Sequence, residues 1–132
     1  MTQPGTQPAI GGIAPFFIVR DVSAALTFYS ERLGFSVVFR EPEVQPFLAI
    51  VRRDGAMIFL KSVDAEPLPN CRRHPDARWD AYLNVPDPDA LEAEFRSQGA
   101  GFSVPPRDTE DGLRGFELRD ADGYTLFFGR PR

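Results

Sequence analysis

A duplicated unit constrains this chain more than any other feature. Residues 14–34, APFFIVRDVSAALTFYSERLG, recur in weaker form at residues 80–99, DAYLNVPDPDALEAEFRSQG. Each copy reads as strand, aspartate turn, amphipathic helix and glycine stop. In the first, Phe17 and Val19 keep the two-residue period of a strand. Asp21 and Ser23 can accept bonds from the unpaired amides of a helix start. Val22, Ala25, Leu26, Tyr29 and Leu33 then follow at helical spacing, and Gly34 can take the left-handed geometry that ends a helix. In the second copy Ala81, Leu83 and Val85 alternate, and Asp87 is the expected cap. Pro88 sits at the first helical position, where its missing amide costs nothing, Leu91 and Phe95 share a face, and Gly99 stops the helix.

The spacing between copies is nearly constant. Asp21 recurs as Asp87, Phe35 as Phe102 and Gly55 as Gly123, at offsets of 66, 67 and 68 residues. Such a period is longer than those of common solenoid repeats and is about half of the 132 residues, so two half-domains sharing one core are expected. The expected division is a tail over 1–12 and a single domain over 13–132, with modules at about 13–63 and 79–130 and a linker at about 64–78.

Between the repeated units the chain alternates strand and turn signals. FSVVFR at 35–40 is rich in strand formers and is interrupted by Glu41-Pro42. FLAIV at 47–51 and AMIFLKS at 56–62 flank Arg53-Asp54-Gly55, a hairpin signal. Residues 64–78 hold Pro67, Pro69 and Pro75 without periodicity, which marks the linker. In the second module a strand at 101–104 is expected to close at Pro105-Pro106, and strands at 114–118 and 124–129 flank a turn ending at Gly123. The fold class is therefore α+β, with two β-α-β-β-β modules in each of which the helix is expected to cover one sheet face.

Composition removes several functions. A formal net charge of −4 argues against a nucleic-acid surface, which needs a basic stripe to neutralise phosphates. Cys71 is alone, so no internal disulfide framework exists and a reducing cytoplasm is the default. MTQPGTQPAIGG lacks a basic region and an apolar run, so it is expected to be a loose tail rather than a secretory signal or membrane anchor. No Gly-x-Ser-x-Gly elbow, phosphate-binding loop or dinucleotide fingerprint is present. Acid/base chemistry by Asp80 with Glu117 or Glu41 stays open, since sequence does not give their separation.

VRDVSAALTFYSERLGF, the Gly-containing hairpin, the second module and the closing FELRDADGYTLFFG together resemble the vicinal-oxygen-chelate superfamily of glyoxalases, extradiol dioxygenases, and fosfomycin- and bleomycin-resistance proteins. Ala14-Pro15, the string at 19–22, the string at 32–35 and that at 116–120 look most like the bleomycin-resistance branch. The resemblance implies a cup built from paired modules, usually completed in a homodimer. It also implies metal-ligand positions at Ala14, Phe59, Asp80 and Phe127, of which only Asp80 carries a donor. A complete metal site of the family's type is thus not expected, and no cofactor is. His74, three residues from Cys71 in the linker, reads as a solvated loop residue.

Strand parity separates two faces. Phe17, Val19, Ile58, Leu60, Ala81, Leu83, Val85, Leu126 and Phe128 are all apolar and belong beneath the helices. The opposite parity mixes aromatic rings with a few polar groups, as a concave small-molecule site does. The expected ligand-binding residues are Phe16, Phe39, Met57, Phe59, Lys61, Trp79, Asp80, Tyr82 and Phe127, with no catalytic residue and no metal ligand. Asp80 has two roles open to it, a local hydrogen bond or a ligand's cationic group, and Trp79 is open between the cup and the helix side. The reading is a metal-free binding protein that sequesters an aromatic or cationic small molecule, with no nucleic-acid or membrane partner. The alternative is a glyoxalase- or dioxygenase-type enzyme with a rearranged metal site.

Overall fold

A computed structural model describes residues 7–132. Residues 7–12 of the expected tail are exposed and form no helix or strand, and the rest of that segment lies outside the described residues. The chain forms β1 (Phe16–Ile18), α1 (Val22–Thr27), a π-helical turn (Phe28–Arg32), β2 (Ser36–Glu41), β3 (Leu48–Arg53) and β4 (Ala56–Lys61). A short α2 (Asn70–Arg73) follows, then β5 (Ala81–Asn84), α3 (Pro88–Ser97), β6 (Val104–Asp108), β7 (Leu113–Arg119) and β8 (Thr125–Pro131).

The strands make two four-stranded mixed sheets with the same order, β1-β4-β3-β2 and β5-β8-β7-β6. In each, the first strand runs parallel to the last while the other neighbours are antiparallel. That is the α+β fold expected from the duplicated unit, in two sheets of equal topology.

Local chemistry sets the helix starts. Asp21 Oδ1 accepts from the Ser23 and Ala24 amides at 2.9 and 3.4 Å, and Asp87 Oδ1 accepts from the Ala90 amide at 3.1 Å, with Pro88 opening α3. Gly34 and Gly99 leave their helices at φ 72° and 85°, as the glycine stops require. The first helix is not uniform, since after six α-helical residues it widens into the π turn that carries the buried Tyr29. The Asp54-Gly55 turn joins β3 to β4.

One expectation along the chain needs correcting. The strand placed at 101–104 lies at Val104–Asp108 and contains Pro105 and Pro106 instead of ending at them. β6 pairs only with β7, and its register shifts between Val104 and Arg107. An edge strand with a bulge needs no amides from those prolines. The segment read as the linker from its lack of periodicity includes the short α2.

One core serves both modules. Val19, Val22, Leu26, Tyr29, Leu33, Val51, Ile58 and Leu60 from the first join Phe95, Phe116, Leu118, Leu126 and Phe128 from the second in a single buried cluster. Polar contacts tie the modules along the same side. Tyr29 donates to Asp120 Oδ2 at 2.7 Å, Tyr124 donates to the Ile18 carbonyl at 2.6 Å, and the Arg20 amide donates to Asp122 at 2.9 Å. Arg53 grips Glu94 with two bonds of 2.6 and 3.0 Å and lies over the Phe95 ring. The sheet faces turned away from this core are left to carry the site.

Candidate functional site

On the first sheet the register defines three rows of side chains on the face opposite the core. Phe16, Phe59, Ile50 and Phe39 form the central row, directly opposite one another across β1, β4, β3 and β2. Phe16 and Phe59 stack with centroids 5.7 Å apart, and Phe16 and Phe39 are 57% and 41% exposed. One flanking row holds Ile18, Lys61, Leu48 and Glu41, and the other holds Met57, Arg52 and Ser36. Five expected site residues, Phe16, Phe39, Met57, Phe59 and Lys61, thus share one face. Ile50 and Arg52 belong to it too. The Asp54-Gly55 turn was the available signal, because it fixes which residues of β3 lie opposite Met57 and Phe59.

The second sheet carries a three-ring stack. Trp79 lies on Phe127 at 4.1 Å and 23°, and Tyr82 lies beside Phe127 at 5.6 Å and 18°. Trp79 therefore sits on the face opposite the core and not beneath the helices. Beneath Phe127 is the cross-strand pair Gly115 and Gly129, where any added Cβ would collide with its ring. Phe127, 1% exposed, is enclosed between sheet and Trp79, while Tyr82 is 42% exposed. Next along this face is the buried carboxylate of Glu117, which accepts two bonds from Arg78 at 2.9 and 3.1 Å. Those partners stand 39 positions apart in the chain, which left no local signal.

Asp80 has a different occupation. Its Oδ1 accepts the Asn70 amide and its Oδ2 accepts the Thr125 amide, both at 2.8 Å, so the carboxylate fastens α2 to the start of β8. At the other three positions implied for a metal, Ala14, Phe59 and Phe127 offer only carbon, and the fit to a bound metal of the family's type fails. Among the described residues no three His, Cys, Asp or Glu side chains converge.

A cleft of about 640 Å³ lies elsewhere, between β5, α3, the β3–β4 turn and Ile13-Pro15. Of the expected site residues only Met57 and Tyr82 border it; its walls include the core side chains Ile58, Leu83, Val85 and Phe95. Its charged rim is already engaged, Arg53 with Glu94 and Asp87 in capping α3. It offers area with little to orient a ligand, which is why the aromatic faces are the stronger candidate. A second cleft of about 330 Å³ brings Phe16 and Asp80 together with Asn70, Arg73 and Tyr124.

Residues 10–128 match the model of the Glyoxalase/Bleomycin resistance protein/Dioxygenase superfamily. TioX from Micromonospora sp. ML1 superposes with a TM-score of 0.73 at 19% identity, over 93% of this chain and 100% of that one. The bleomycin-binding protein of bleomycin-producing Streptomyces verticillus, complexed with copper(II)-bleomycin, gives 0.69 at 24% identity, over 96% and 100%. TnmS3, an antibiotic binding protein from Streptomyces sp. CB03234, gives 0.67 at 27% identity, over 96% and 100%. Among curated proteins none matches the chain. No helix among the described residues is long and apolar enough to cross a membrane.

Proposed function

The chain belongs to the Glyoxalase/Bleomycin resistance protein/Dioxygenase superfamily, and we propose that it is a small-molecule binding protein that sequesters an aromatic compound without metal or catalysis. The observation that carries this reading is the pair of aromatic surfaces facing away from the core. Phe16 with Phe59 on one sheet, and Trp79 with Tyr82 on the other, present aromatic rings, and Phe59 and Phe127 stand where a metal-dependent member would need donors. Rings of this kind supply contact area and stacking at small cost in side-chain freedom. Likeness to TnmS3 supports an antibiotic-type ligand.

The proposed assembly is a cytoplasmic homodimer. Phe16, Phe39 and Tyr82 are too exposed for either sheet face to enclose a ligand by itself, and a second copy laid across them would turn open faces into a cup. Light scattering at micromolar concentration is expected to give twice the chain mass, and a monomer there overturns the assembly.

The function is tested by titrating flat aromatic antibiotics and bleomycin against the protein with and without chelator, following the fluorescence of Trp79, the sole tryptophan. Binding that is indifferent to chelator is expected. Trp79→Ala should weaken it by about 1–3 kcal/mol, the range for loss of a stacked aromatic anchor. Failure of every aromatic compound to bind, or binding that needs a stoichiometric metal, overturns the reading.

A further inference from the structure

Charged groups on the two faces differ in how much hydrogen-bonding capacity remains. On the second sheet both acids are occupied, Asp80 by the Asn70 and Thr125 amides and Glu117 by the Arg78 guanidinium. On the outward face of the first sheet Lys61 and Arg52 keep unused donors among the described residues. Lys61 forms no ion pair and no side-chain hydrogen bond among the described residues, and Arg52 donates only its Nε, to the Asp54 carbonyl at 3.3 Å. Lys61 is the next residue on the same face after Phe59, and Arg52 the next after Ile50, so the cations stand on opposite long sides of the Phe16–Phe59–Ile50–Phe39 row. The acid that shares this face is Glu41, in the Lys61 row but two strands away, roughly 10 Å at ordinary strand spacing.

We infer that the first sheet selects a flat aromatic ligand bearing an anionic oxygen group at its edge, a carboxylate, sulfonate or ionised phenol, held by Lys61 or Arg52 while its rings lie on Phe16 and Phe59. The inference rests on the aromatic-binding reading above and narrows the aromatic-or-cationic class read from the sequence. A cationic ligand would meet Lys61 and Arg52 as like charges, with Glu41 at the far end of the Lys61 row and the second sheet's acids already engaged, whereas an anion meets the Lys61 ammonium and the remaining Arg52 donors. The alternative role for Lys61 is to lay its methylene stem over Phe59 with the ammonium left in solvent, as long cationic side chains do.

A matched dye pair separates these possibilities. 1-Anilinonaphthalene-8-sulfonate and N-phenyl-1-naphthylamine share their rings and differ by the sulfonate, and proflavine supplies a flat aromatic cation. Titrated by dye fluorescence at low salt, the sulfonate is expected to bind about tenfold or more tighter than its uncharged analogue, a gap that shrinks as salt is raised. Lys61→Met and Arg52→Met, which keep stem length and apolar contact, should reduce that gap in at least one variant by lowering the sulfonate's affinity more than the uncharged dye's. Circular dichroism and the uncharged dye together check the fold. Equal affinities for the two naphthalenes, a preference that survives both substitutions, or tighter binding of proflavine overturns the anionic inference and leaves aromatic binding standing. Binding of none of the three dyes overturns both.

Discussion

Gly115 and Gly129, opposite each other on β7 and β8, decide how Phe127 lies. A Cβ at Gly115 would come within 2.7 Å of the Phe127 ring, and one at Gly129 within 2.8 Å of the Arg114 carbonyl as well as into that ring. With hydrogen in both places the ring rests flat on the backbone and Trp79 closes over it. Gly129→Ala is therefore expected to destabilise the fold by about 1–3 kcal/mol, the cost of forcing extra volume into a packed site, as read from the urea midpoint. An unchanged midpoint would show that Phe127 swings aside freely and is not held by the glycines. That Phe127 and Tyr82 share a face was legible from strand parity, whereas alternation put Trp79 on the other parity and left its face open. That Phe127 is enclosed beneath Trp79 while Tyr82 stays exposed was not legible, because enclosure depends on a glycine pair brought together by strand register. Asp80 follows the same logic, since its amide partners at Asn70 and Thr125 lie 10 and 45 residues away.

The elements that could be read in advance are those whose signals sit within a few residues. Asp21, Asp87, Gly34, Gly99 and the Asp54-Gly55 turn each act through their own backbone neighbourhood, and each stands where the sequence put it. β6 was misplaced because Pro105-Pro106 reads locally as a break, whereas the pairing of Val104 with Glu117 and of Arg107 with Gly115 is decided by β7. The cap at α1 gives a direct test of local control. Asp21 is exposed and its carboxylate engages two amides, while Ser23, the other candidate cap, engages none through its side chain. Asp21→Ala should cost about 1 kcal/mol of unfolding free energy and Ser23→Ala close to nothing, both measured by chemical denaturation. The reverse order would place the helix start two residues later than the hydrogen bonds do.

At the scale of the molecule, stability depends on how the two modules are pinned, and one pin is titratable. Asp120, buried in the β7–β8 turn, accepts the Tyr29 hydroxyl from the first module and the Asp122 and Tyr124 amides from its own turn. Burial pushes its carboxyl up to about 6, outweighing the three hydrogen bonds that favour the charged form. A native pKa above the unfolded one means that the folded protein holds the proton more tightly. Asp120's contribution is then complete below the ordinary carboxylate value near 4 and is lost as pH rises through about 6, amounting to up to about 3 kcal/mol across that window. Asp89 and Glu94 act in the opposite sense, since hydrogen bonds from Arg114 and Arg53 hold them below their ordinary values. Both are substantially exposed, and their loss begins only as the pH falls toward and below that of an ordinary carboxylate. Between pH 7 and 5 the Asp120 effect should therefore dominate, and the urea midpoint should rise on acidification. Asp120→Asn keeps an oxygen for the two turn amides and an NH2 group for the Tyr29 oxygen, so it should fold and show a flat profile over the same range. A wild-type midpoint that falls steadily from pH 7 to 5, or one that rises equally in the Asn variant, would move the pH sensitivity away from this contact between the modules.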